Sequence, residues 1–217
     1  EADDIVGTVI DRLKNKKDLE KIIVTGDLDT LQLIDNDTIK VYTLRKGVTD
    51  TVIYGRAEVK ERFEGLTPEQ MIDYKGLKGD PSDNIPGVMG IGEKTAIQLL
   101  QKYKNLEDLY KNIDADKKIR TNLKEKLLKS KDQAFFSRQL ATISRDAPIE
   151  FSLEESKLNI NPEKVKAVFN RFGFRTLAAR LDNMNKSEEP KESQGQLIPS
   201  IEDDLEDYFK RKIFSQK

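Results

Sequence analysis

Apolar residues at Ile5, Val9, Ile10 and Leu13 share one face of a segment whose first turn holds Asp3 and Asp4, the pattern of an amphipathic helix with acids at its N-terminus. Lys21-Ile22-Ile23-Val24-Thr25 follows as a short run of β-branched residues ending in a turn, which predicts a buried parallel strand. Asp27 is placed to cap a short helix from Leu28 to Ile34. Two more strands are predicted at Thr38 to Leu44 and Thr49 to Tyr54, joined around Gly47. Helix, strand, helix and strand in that order make this part α/β.

From Thr67 the periodicity becomes helical. Thr67-Pro68-Glu69-Gln70 supplies a capping hydroxyl, a proline at the first helical position and an amide at the third, so a helix is predicted to about Leu77. Gly87 to Tyr103, Leu106 to Asn112, Ile119 to Leu128 and Lys131 to Ser144 also read as helical. Pro148 to Leu153 reads as extended, and Pro162 to Phe172 as a helix closed by Gly173. Beyond about Asn183 the chain is rich in Lys, Glu, Ser, Gln and Pro, the composition of a linker. Within that tail, Gln196-Leu197-Ile198-Pro199 faintly resembles a sliding-clamp peptide but fits a solvated linker better, and Glu202 to Phe209 has the pattern of a short acidic helix. Three regions follow: 1–66, 67–181 and 182–217.

The 217 residues contain neither cysteine nor histidine. That excludes disulfides, thiolate or imidazole catalysis and Cys/His zinc sites, leaving carboxylates, lysines, hydroxyls and hard metals. No apolar run has the length of a membrane span and no signal sequence opens the chain, so a cytoplasmic location away from membranes is expected.

A net charge of −1 conceals a segregation of charge. From Lys94 to Lys131 there are eleven Lys or Arg against five Asp or Glu, whereas acids gather at 1–4, 27–29, 80–83 and 202–207. Glu1, Asp3 and Asp4 open a helix. Asp27 and Asp29 follow the C-terminal end of a predicted strand, where ligands of α/β sheets sit. Asp80 and Asp83 lie in Gly79-Asp80-Pro81-Ser82-Asp83-Asn84, between helices. Singly, each cluster has a plain structural reading as dipole complement, N-cap or turn. Folded together, seven carboxylates would need divalent counter-ions, and an all-oxygen donor set favours Mg²⁺ or Mn²⁺.

Gly87-Val88-Met89-Gly90-Ile91-Gly92-Glu93-Lys94-Thr95-Ala96 precedes an amphipathic helix. It is not a dinucleotide fingerprint, since no buried strand precedes it, and Glu93 separates Gly92 from Lys94, which breaks a Walker A loop. A helix-hairpin-helix-like turn remains, its glycines bringing backbone N–H groups to a phosphate beside Lys94, with a plain tight turn as the alternative.

In order and approximate spacing, these motifs resemble the 5′-nuclease domain of bacterial DNA polymerase I, more distantly the flap endonucleases. The resemblance extends through Ser137-Arg138-Gln139-Leu140-Ala141-Thr142-Ile143 to Phe172-Gly173-Phe174, covering about Glu1 to Leu181. It implies an incomplete PIN-like or resolvase-like parallel-sheet core, followed by a helical subdomain with a helix-hairpin-helix-like turn. It further implies that Glu1, Asp3 and Asp4 hold a first metal, that Asp27 and Asp29 lie near both, and that Asp80 and Asp83 favour a second. Backbone carbonyls of Gly87, Val88 and Ile91 would hold K⁺, while Gly90, Gly92, Lys94 and Thr95 would hold duplex phosphate. The implied reaction is two-metal hydrolysis of DNA phosphodiesters at a 5′ flap or nick, leaving a 5′-phosphate, in the service of replication and repair.

The family also carries an earlier strand with an aspartate, a further aspartate and a basic arch, none of which this sequence contains. The chain is therefore expected to be an N-terminally truncated, catalytically impaired monomeric piece of a protein with a fused polymerase domain. Two other readings stay open: a duplex-binding module without catalysis, and an RNA-cleaving relative.

Overall fold

The computed structural model describes residues 1–35, 38–46, 50–158 and 161–184, and the chain divides into two units, Glu1–Ile149 and Glu150–Lys217. In the first unit, α1 (Ala2–Leu13) buries Gly7, Thr8, Ile10 and Leu13 along one stripe. Its crossing with the segment 143–144 is close, for a Cβ on Gly7 would stand 2.6 Å from the Ile143 side chain and 2.8 Å from the Ser144 carbonyl.

Strand β1 (Lys21–Val24) pairs in parallel with β2 (Ile39–Lys46), in the register Lys21 to Ile39 through Val24 to Tyr42. Strand β3 (Asp50–Tyr54) turns back antiparallel on β2, with an irregularity between Leu44 and Lys46. The sheet is thus mixed, in the order β1-β2-β3. β1 is buried only on alternate residues: Ile23 enters the core and Val24 is exposed. Lys21 is buried too, its ammonium donating to the Lys16 and Leu19 carbonyls at 2.8 and 3.0 Å, which meets the cost of burying a charge.

The expected short helix after β1 is a 3-10 segment, Leu28–Leu33, capped by Asp27 as its spacing suggests. A helix not legible in the periodicity, α2 (Arg56–Arg62), follows β3 and rests on Val59 and the next residue, Phe63. Thr67 and Gln70 then open the 3-10 turn Pro68–Gln70, which runs into α3 (Met71–Lys78); the Gln70 amide oxygen accepts the Thr67 N–H at 3.1 Å.

Helices α4 (Glu93–Lys102), α5 (Leu106–Asn112), α6 (Thr121–Lys129) and α7 (Lys131–Ala141) complete this unit. α4 starts six residues later than its predicted beginning at Gly87, because Gly87 and Gly90 take φ of +61° and +80°, outside any right-handed helix. α7 ends at Ala141 rather than Ser144. There the Gln32 side chain takes over, donating to the Ala141 carbonyl at 2.8 Å and accepting the Ile143 N–H at 2.9 Å. α3 is the central helix of this unit. On one side its Gly76 lets α7 approach, since an added Cβ would meet the Ala134 carbonyl at 3.0 Å.

In the second unit, Asn161 caps α8 (Pro162–Arg171), accepting the Lys164 N–H at 3.0 Å, and proline stands at the start as predicted. Gly173, at φ +72°, then turns the chain into α9 (Arg175–Met184). Residues 148–153 form no strand. Gly47, the clamp-like peptide and the acidic segment Glu202 to Phe209 lie outside the described residues. Among the described residues no helix is long and apolar enough to cross a membrane.

Candidate metal centre

The loop after β1 is held from both ends. Thr25 N–H reaches the Tyr42 carbonyl across the sheet at 3.0 Å, and the Asp27 N–H donates to Thr25 Oγ1 at 3.0 Å. One Asp27 oxygen then accepts the Asp29 N–H at 2.9 Å as an N-cap. This leaves Asp27 exposed at the strand's carboxyl edge and Asp29 half-buried one step behind it.

Asp4 is fixed by a different route. Its Oδ1 accepts the Ser144 N–H at 2.7 Å, and Thr8 Oγ1, one turn along, bonds the Asp4 carbonyl and accepts the Ala147 N–H. The start of α1 is thereby tied to the chain that leaves α7. The third cluster is set by a loop folded back on itself, with Asp80 and Ile85 exchanging two backbone hydrogen bonds of 2.8 Å. Gly79 and Gly87 make that closure possible: a Cβ on Gly87 would stand 2.3 Å from the Gly79 nitrogen. Buried Ser137 accepts the Gly87 N–H at 3.0 Å, anchoring the loop to α7.

These three arrangements converge. Glu1, Asp3, Asp4, Asp27, Asp29 and Asp83 line one cavity of about 330 Å³, closed on another side by Leu140 to Ile143. Asp80 joins Asp27, Asp29 and Asp83 around an adjoining cavity of about 440 Å³. Within the group, Asp29, Asp80 and Asp83 offer oxygens that all lie within 4.8 Å of one another.

The electrostatics carry the mark of crowding. Burial pushes the Asp3 carboxyl above its usual range, and so do Asp27, Glu1, Asp4 and Asp83, which come from all three stretches of sequence. Asp29 is also raised, first by burial and further by Asp27 and Asp83, against the opposing pull of Lys75. Asp80 behaves oppositely: burial pushes it up, but hydrogen bonds from Lys75 and Ser82 prevail and hold it at about 2.

Lys75 is the residue that the motifs did not announce. Standing in α3, it puts its ammonium against both Asp29 and Asp80, where burial would lower its pKa but the two carboxylates raise it. One cation serves its two partners unequally because Asp29 is the more buried and has Asp27 and Asp83 as further neighbours. The only local hint is its place one turn before the end of the helix that feeds the Asp80 loop.

The glycine turn lies after this loop. Val88 N–H bonds the Leu77 carbonyl at 2.8 Å and the Ile91 N–H bonds the Val88 carbonyl at 3.0 Å, so Val88 and Ile91 bury their side chains while Gly90, Gly92 and Lys94 stay exposed. Gly92 is the N-cap of α4, and Thr95 is half-buried in its first turn. Lys126 of α6 approaches from the other side, 3.1 Å from where a Cβ on Gly90 would be. The start of α4 is thus exposed, with Lys94 in its first turn and Lys126 close to Gly90, an arrangement suited to an anion.

Residues 1–64 match the family model described as 5′-3′ exonuclease, N-terminal resolvase-like domain, and residues 66–164 match 5′-3′ exonuclease, C-terminal SAM fold. The chain is 47% identical to DNA polymerase I of Bacillus subtilis (strain 168) over 196 residues, which cover 89% of this chain and 22% of that protein. It is 38% identical to DNA polymerase I of Streptococcus pneumoniae (strain ATCC BAA-255 / R6) over 220 residues, covering 100% and 24%. It therefore spans about a quarter or less of the length of these relatives. Among solved structures, T5 5′-exonuclease with bound divalent metal ions (zinc) superposes at a TM-score of 0.55 with 25% identity, over 65% of this chain and 49% of that one.

Proposed function

Because this chain belongs to the 5′-3′ exonuclease family, we propose that the protein carrying it hydrolyses DNA phosphodiesters at a 5′ flap or nick, using divalent metal ions, alongside a fused polymerase domain. The observation that carries this reading is the convergence of carboxylates from three separate stretches on adjoining cavities, next to an exposed helix N-terminus.

The donor set fits the metals. Asp29, Asp80 and Asp83 present hard oxygens within 4.8 Å, and Asp3 is raised by burial and then by four neighbouring carboxylates, a surplus of negative charge that calls for Mg²⁺ or Mn²⁺. Glu1, Asp3 and Asp4 would hold one ion and Asp80 and Asp83 the other, with Asp27 and Asp29 between them. Bound there, the ions supply Lewis acidity for the attacking water and the leaving oxygen.

The chain's own part is positional. Asp27 and Asp4 each use one oxygen on the backbone, which fixes where the other points. The N–H groups behind Gly90 and Gly92, with Lys94 and Thr95, would grip duplex phosphate without reading bases. The Gly87, Val88 and Ile91 carbonyls would hold K⁺. The Val88 carbonyl already accepts one hydrogen bond and keeps a second lone pair for the ion.

The test is cleavage of a labelled 5′-flap duplex by the full-length protein in Mg²⁺. Release of a flap product whose downstream strand keeps a 5′-phosphate is expected, with Asp80→Asn and Asp29→Asn slowing it by more than about tenfold, since loss of even an outer-shell partner of a metal ligand costs about 10–100-fold. An Asp80→Asn protein that cleaves at the wild-type rate would overturn the assignment. Binding without cleavage by the folded wild-type protein would favour the duplex-binding module instead.

A further inference from the structure

The ammonium of Lys75 lies inside the carboxylate cluster rather than beside it. It bonds Asp29 and Asp80, two of the three acids whose oxygens lie within 4.8 Å, and among the described residues these are its only hydrogen-bond partners. The Lys75 side chain is 16% exposed, so the contact is sheltered from bulk screening. One positive charge facing Asp29, Asp80 and Asp83 leaves the group short of neutral.

We infer that Lys75 is the resident counter-cation of the Asp29, Asp80 and Asp83 cluster, and that a divalent metal must displace it to bind there. The inference rests on the metal-dependent reading above. An ammonium suits an exchangeable role: it is a point charge on four rotatable methylenes and makes no bidentate fork that would fix it in place. There is also room for it to leave. The cavity of about 440 Å³ that Lys75 borders runs from the carboxylates past Tyr74 and Lys78 to Glu93 at the start of α4. A divalent ion brings twice the charge to the same oxygens, so exchange is favoured once enough metal is present. Without metal, Lys75 keeps three neighbouring carboxylates compatible with the folded loop. Its displacement lowers the apparent metal affinity, so Lys75 sets the concentration at which this part of the centre fills.

Lys78 provides the comparison. It lines the same cavity but lies over the Tyr74 ring at 5.2 Å instead of on a carboxylate, and it is exposed. Removing it deletes the same charge nearby without vacating the cluster.

The experiment is isothermal titration of Mg²⁺ into the metal-stripped full chain, as wild type, Lys75→Met, Lys78→Met and Asp80→Asn. Lys75→Met is expected to bind about tenfold more tightly than wild type, Lys78→Met to differ by less than about threefold, and Asp80→Asn to lose the affected site. Equal affinities for Lys75→Met and Lys78→Met would overturn the displacement while leaving the metal site standing, and weaker binding by Lys75→Met would show that Lys75 assists the metal. If no variant binds Mg²⁺, both the metal reading and this one fall. Should Lys75→Met not fold, the wild-type chain answers through the ¹⁵N resonances of its lysine ammonium groups. Saturating Mg²⁺ is expected to shift that of Lys75 and spare that of Lys78; a Lys75 resonance that does not move would sink the proposal.

Discussion

Helix α3 carries Asp73 and Lys75, and each enters a triad of two carboxylates and one cation. Around Asp73, Arg138 bonds the buried carboxylate at 3.0 Å and grips Glu107 through both nitrogens at 2.8 and 2.6 Å. Around Lys75, one ammonium touches Asp29 and Asp80. In both, the more buried acid is pushed up and its partner lowered: burial raises Asp73 and Asp29, while Arg138 lowers Glu107 and Lys75 lowers Asp80. The difference is what else is present. Asp73 also accepts the Leu106 N–H at 3.3 Å, so its triad knits α3, α5 and α7 with a planar fork. The Lys75 triad has Asp27 and Asp83 as further acids and opens onto cavities. One is a fastener with its charges fixed; the other has a surplus of charge and a cation free to rotate away.

The strongest way to break this comparison is to remove each cation. Arg138→Met leaves Asp73, whose side chain is 5% exposed, without its counter-charge, and should cost about 3–5 kcal/mol, the usual result of breaking a buried pair from one side. Urea unfolding measures it. Lys75→Met should cost clearly less, because its carboxylates face cavities that admit water and ions. Comparable losses for the two variants would mean that Lys75 is also a fastener.

A smaller effect tests whether α7 holds the acidic loop as firmly as it holds α3. Ser137, next to Arg138, is fully buried and its hydroxyl oxygen accepts the Gly87 N–H. Ser137→Ala would orphan that N–H and should cost about 1–3 kcal/mol. Amide exchange at Gly87 should rise together with the loss of stability; stability lost with Gly87 still protected would place the effect elsewhere.

The acids of the centre were legible in the sequence because they come as short motifs at element ends. The glycines were legible because only a left-handed backbone needs them at Gly87 and Gly90. Ser137 and Arg138 stand in a motif the sequence displays, but their roles, and Gln32 altogether, were not legible, since their partners lie 31 to 111 positions away. Lys75 was hidden by abundance: with 38 Lys and Arg in the chain, one lysine in a helix carries no signal until the fold brings it to Asp29. The helix Arg56–Arg62 escaped for a related reason, since seven residues with a single buried side chain make too little periodicity to detect.

Acid provides the finest distinction. Glu107 is lowered, chiefly by its hydrogen bond to Arg138, so its contribution to stability is present above its unfolded pKa near 4.5 and is lost as pH falls through the lowered folded value. Asp73 has the opposite sign: its raised pKa gives stability that is complete below 3.8 and is lost as pH rises through its folded value. The acid limb of the fastener is therefore the Glu107 contribution. Since the Glu107 side chain is 55% exposed, screening keeps this contribution to about 1 kcal/mol or less. Glu107→Gln should be slightly less stable than wild type at pH 6, and the two unfolding curves should merge as pH drops below 4. Because neither Glu107 nor Arg138 borders the carboxylate centre, the merging should be the same in EDTA and in Mg²⁺. A gap that Mg²⁺ widens would show that the two triads on α3 are coupled, and that the fastener responds to what binds at the centre.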